Sequence, residues 1–132
     1  MDAEAELHTL FGAVSEKWLP SIEGGYFGGL DVRETALVLL TMLDTEVCNG
    51  GFLHWTTCQI GEYSAETRDA VVCVGDLKVT SLIDSAMARN ASDKPSMNEL
   101  AGNQSMYDID SEYYAVRDEF ILRCLRWWTA SN

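Results

Sequence analysis

From Ala36 to Val47 apolar residues recur at three- and four-residue intervals: Ala36, Leu39, Leu40, Leu43 and Val47. That spacing puts them on one face of a helix, and the face is wide enough to need covering. No segment alternates apolar and polar residues long enough to line one side of a strand, so the cover has to come from other helices. Asp31-Val32-Arg33-Glu34 opens the stripe as a capping box. Asn49-Gly50-Gly51 closes it with residues that tolerate the left-handed conformation.

The flanking segments read the same way. Leu7, Leu10, Phe11, Val14 and Trp18 predict a helix over 3–19, stopped by Pro20. Phe52, Trp55 and Ile60 predict a short helix up to Gly61, and Ser64 is placed to cap a helix through Val71 and Val74. Gly75-Asp76 joins a stop to a new cap, and the helix it opens carries Leu77, Leu82, Ile83 and Ala86 before fading near Asn90. Residues 90–110 are polar, with Pro95 and a Ser96-Met97-Asn98-Glu99 capping box that would seed one short turn. Asp110 is placed to cap a last helix containing Tyr114, Val116, Phe120, Ile121, Cys124, Leu125 and Trp128. The expected fold is all-α: one compact domain over 1–132, six or seven short helices, no internal repeat. At 132 residues and 47% hydrophobic the chain can bury about two-thirds of its unfolded surface.

Charge constrains the partners. The chain holds 21 Asp and Glu against nine Lys and Arg, a formal charge of −12. Only two of the bases, Lys17 and Arg33, fall in residues 1–66, together with eleven of the acids, so the acidity is polarised along the chain. Direct binding to nucleic acid or to an anionic membrane surface needs clustered Lys and Arg, and is excluded. A basic protein partner is favoured, including one whose own surface is built for nucleic acid. Glu4 and Glu6 stand where a signal peptide needs bases, and no run of 18 uninterrupted apolar residues is present. A cytoplasmic location with reduced cysteines is expected.

The residues that could carry chemistry do not assemble a reaction. Glu23-Gly24-Gly25-Tyr26-Phe27-Gly28-Gly29 lacks the Gly-Lys-Ser/Thr ending of a phosphate cradle and is flanked by acids. Cys48, His54 and Cys58 supply three zinc donors where four are wanted, without paired spacing. A Cys–His nucleophile needs a lowered thiol pKa, which an acidic setting opposes. No catalytic residue, cofactor or metal is expected, and the chain is read as no enzyme.

Acid placement is more informative. Glu62, Glu66 and Asp69 recur at helical spacing, so one helix would carry three carboxylates about 5–6 Å apart along one face. Such a row can imitate the phosphates of a DNA strand. Asp108, Asp110 and Glu112 form a second cluster. Trp127 points about 100° away from Trp128 on a helix. With Trp128 in the apolar stripe, Trp127 either stands at the surface, where it would serve a homodimer or a heteromeric contact, or packs against another helix.

Glu46-Val47-Cys48-Asn49-Gly50-Gly51-Phe52-Leu53-His54-Trp55 resembles a bacterial domain family typified by an Asn-Gly-Gly-Phe motif, one that includes a DNA-mimic protein. Weaker matches at Ala70-Val71, Val74-Gly75, Ile109-Asp110 and Tyr113-Tyr114 extend the resemblance over roughly 31–128. The family usually has Gln at the place of His54 and Asn at that of Cys58, neither of which supports a metal site. The resemblance implies a small all-helical cytoplasmic protein without a reaction, whose mimic member is a dimer covering the DNA-binding surface of a helix-turn-helix factor. Gly50-Gly51 reads as a sharp turn between helices, with Phe52 in the core beneath it and Glu46 and Asn49 available to the backbone groups the turn frees.

The expected function is a non-enzymatic acidic inhibitor that occludes a basic partner as a DNA mimic, through Glu62, Glu66, Asp69, Asp108 and Glu112. The alternative is an immunity protein that blocks a toxin's active site.

Overall fold

A computed structural model describes residues 2–92 and 106–130. Among these residues the chain is all-helical. The elements are α1 (Ala3–Ser15), α2 (Val32–Thr57), a 3-10 helix (Gln59–Tyr63), α3 (Ser64–Val74), α4 (Leu77–Ser92) and α5 (Tyr107–Ala130). Five α-helices and one 3-10 segment stand where six or seven short helices were expected, and two of the five are long. The capping box at Ser96–Glu99 and the turn near Pro95 lie outside the described residues.

Helix α2 is the centre of the fold and packs against α1, the 3-10 helix, α3, α4 and α5. Of its stripe, Leu39, Leu40, Leu43 and Val47 are buried and Ala36 partly so, while Leu37 and Val38, outside the stripe, are fully buried as well. It is long and apolar enough to cross a membrane by length and composition; here the other helices bury its apolar face. Leu7 and Val14 of α1, Val71 of α3, Val79 and Ile83 of α4, and Tyr113, Phe120 and Ile121 of α5 complete one core cluster.

Several helix ends follow their local chemistry. Asp31 accepts from the Glu34 N–H at 2.7 Å while Glu34 accepts from the Asp31 N–H at 3.1 Å, and Lys17 reaches Glu34 at 2.5 Å. The hydrogen bond to Lys17 holds the Glu34 carboxyl below its ordinary range. Gly75 ends α3 in the left-handed region at φ 87°, and Asp76 caps α4 by accepting from the Val79 N–H at 3.0 Å.

Other ends differ from the sequence expectation. The first helix stops at Ser15, not 19, because Trp18 is drawn into an aromatic cluster. Its indole N–H donates to the Tyr26 carbonyl at 2.6 Å and its ring stacks on Phe27, while Tyr26 stacks on Tyr63. The cluster thereby pins the glycine-rich loop to the 3-10 helix. Ser64 is no cap, since α3 runs straight on from the 3-10 turn. The last helix starts at Tyr107, which leaves Asp110 inside its first turn and free to act elsewhere.

Candidate functional site

The Asn-Gly-Gly-Phe segment is a joint in α2. Gly50 and Gly51 leave helical geometry and the helix resumes beyond them, which is why two expected helices form one element. Gly51 sits at φ 78°, ψ −179°, a conformation essentially restricted to glycine. The Phe52 N–H, freed by the break, donates to Asp110 Oδ1 at 2.8 Å. Asp110 of α5 thus caps the second half of α2, a task expected of Glu46 or Asn49. Glu46 instead pairs with His54 across the joint, and Asn49 is exposed. A Cβ at Gly51 would lie 2.4 Å from Asp110 Oδ2. Gly51→Ala is therefore expected to cost about 2–4 kcal/mol, from backbone strain plus the lost cap. Urea denaturation checks this, and a loss below about 1 kcal/mol would contradict it.

A groove of about 420 Å³ opens beside the joint, lined by Cys48, Asn49, Tyr107, Asp110 and Tyr114 among others. Its chemistry is quiet. Burial and the neighbouring Asp44 push the Cys48 thiol up to about 11, so it is no thiolate near neutrality. Cys58 donates to the Trp55 carbonyl at 3.2 Å. Among the described residues no three His, Cys, Asp or Glu side chains are grouped to hold a metal ion.

Beneath the joint lies a polar network that the sequence reading missed. Asp44 is buried, and it accepts from Tyr113 Oη at 2.5 Å, Arg117 Nε at 2.8 Å and Arg117 Nη2 at 2.9 Å. Arg117 also reaches Glu4 of α1 at 2.9 Å. One carboxylate thereby ties α2 to α5 and, through Arg117, to α1. The hydrogen bond to Asp44 holds the Arg117 guanidinium above its ordinary range, while burial, followed by Asp44, raises the Tyr113 phenol. A signal for it was present: Asp44 falls four residues after Leu40 and three before Val47, on the buried stripe, where a carboxylate requires partners.

The surface acids divide into two groups. Asp108 is held by Arg89 in a two-pronged pair at 2.7 Å, which lowers its carboxyl, and Glu112 reaches Lys78 at 3.3 Å. Asp84 pairs with Arg68, and Glu119 with Arg123 and Arg126. Arg33 lies 3.3 Å over the Trp128 ring and donates to its carbonyl. Every described Lys and Arg is thus engaged inside the chain. Glu62, Glu66 and Asp69 are exposed, and among the described residues none of the three is in an ion pair.

One detail of the acidic row differs from expectation. Glu62 belongs to the 3-10 helix and only Glu66 and Asp69 to α3, so the three do not share one continuous helix face. Trp127 is half-buried and packs against the core, one of the two placements open to it from the sequence.

The family model for DMP19-like proteins matches residues 28–132. No curated protein and no solved structure matches the chain.

Proposed function

The chain belongs to the DMP19-like protein family, a family of DNA mimics, and from that premise we propose that it is a non-enzymatic inhibitor that covers the nucleic-acid-binding surface of a basic protein. What carries this reading is the division of charge. Every described Lys and Arg is engaged inside the chain, while Glu62, Glu66 and Asp69 sit together around the start of α3, exposed and without an ion-pair partner among the described residues. Lys and Arg side chains that otherwise contact phosphates would meet carboxylates there. Long-range attraction would speed the encounter.

The test replaces the three acids together. E62Q/E66Q/D69N removes three charges with little change of shape and is expected to fold as the wild type does. Each protein serves as bait in extract of the source cell, and any captured DNA-binding protein is then assayed on labelled DNA. Wild type should capture such a protein and displace it from DNA at about 50 mM salt. The triple variant should lose at least tenfold in affinity, mostly through slower association. Raising salt to about 200 mM should weaken the wild-type complex far more than the variant's, because screening acts over about 10 Å. A captured protein that stays on DNA while bound, or equal binding by both baits, would overturn the reading. A captured toxin blocked at its active site would replace it with an immunity function.

A further inference from the structure

Between the start of α2 and α3 runs a groove of about 360 Å³. Leu39 and Ala36 of α2 and Ala70 of α3 line it, and Leu39 and Ala70 are buried. Phe27 closes one side from the glycine-rich loop. Val32, 88% exposed, and the exposed Cys73 line it too. Glu66 and Asp69, two of the acids without an ion-pair partner, line the same groove, together with Asp31. An apolar trough and carboxylates outside any ion pair among the described residues therefore occupy one surface.

Resting on the DNA-mimic reading, we infer that this groove seats an apolar side chain carried on a basic amphipathic helix of the partner, whose flanking lysines or arginines meet Glu66 and Asp69. Carboxylates alone would serve any polycation equally. The trough between them adds a requirement that a purely phosphate-reading surface does not meet. Glu66 and Asp69 lie three residues apart on α3, the spacing at which a facing helix repeats its own side chains. An extended peptide has less to gain, because among the described residues there is no sheet edge to take up its backbone hydrogen bonds. A second copy of the chain fits poorly, since every described base is already engaged and Glu66 and Asp69 would face further acids.

Two labelled synthetic helical peptides of equal charge test the inference. One carries leucines along a face flanked by lysines, and the other has glutamine in place of each leucine. Fluorescence anisotropy at low salt compares their binding to wild type, Cys73→Trp and E66Q/D69N. The leucine peptide should bind wild type at least tenfold more tightly than the glutamine peptide. Cys73→Trp fills the groove without touching charge, so it should weaken the leucine peptide about tenfold and leave the glutamine peptide unchanged. E66Q/D69N should weaken both. Should Cys73→Trp not fold, alkylation of folded wild type with N-ethylmaleimide, with Cys73→Ser as the unreactive control, should reproduce the tenfold loss.

Equal affinity of wild type for the two peptides would overturn the inference, as would indifference of the leucine peptide to a filled groove. A concentration-dependent dimer dissociated by Cys73→Trp would identify a second copy as the occupant and overturn it too. If the groove fails while E62Q/E66Q/D69N still loses a captured DNA-binding protein, the DNA-mimic reading stands alone. If the peptides behave as expected but no captured protein is displaced from DNA, that reading fails and the groove remains.

Discussion

Asp44→Ala is expected to lower stability by about 3–5 kcal/mol, the range for removing one partner of a buried ion pair. The substitution strips the Tyr113 hydroxyl of its acceptor inside the core. It also leaves the Arg117 guanidinium, tucked against α2, with only Glu4 as counter-ion. Asp44→Asn keeps the shape and one acceptor oxygen, so it should cost less, about 1.5–3 kcal/mol, as the loss of charged hydrogen bonds does. Urea melts of both variants check the order. A cost of Asp44→Ala below about 1 kcal/mol would mean that the network is not coupled to folding. A double-mutant cycle with Tyr113→Phe isolates the phenol's share, since the two groups touch and their effects should not add.

Phe52→Ala is expected to cost about 3–5 kcal/mol. Phe52 is fully buried and meets both Trp55 and Tyr113 edge-to-face, at centroid distances of 6.1 and 5.7 Å. Its backbone N–H bond to Asp110 survives the substitution, so the loss reports the side chain rather than the joint. Denaturant melts measure it. A loss under about 1 kcal/mol would show that the core closes over the gap and that the Asn-Gly-Gly-Phe segment does not anchor α2.

The two variants probe parts of the structure that differ in how visible they are in the chain. The Phe52 position can be read locally: an aromatic residue just after a glycine break, three residues before Trp55, belongs beneath a turn. The capping box at Asp31 and Glu34 and the stop and restart at Gly75-Asp76 are equally local, and each is found where its spacing places it. The acidic row was legible as a set of residues but not as a shape. The change from 3-10 turn to α3 comes at Tyr63, whose ring stacks on Tyr26, 37 residues earlier in the chain.

What the sequence determined by itself is the helical class, several helix boundaries, most of the buried stripe of α2, the excess of negative charge and its bias toward the first half. All of these follow from periodicity, caps and composition, which act over a few residues or need no geometry. Only the tertiary structure decided which charges pair inside the chain. Arg117 finds Asp44 73 residues away, Asp110 caps Phe52 from 58 residues away, and Arg89 and Lys78 pair with Asp108 and Glu112. The same packing left Glu66 and Asp69 beside an apolar groove. An ion pair forms where two helix faces happen to meet, and no spacing along the chain encodes that meeting.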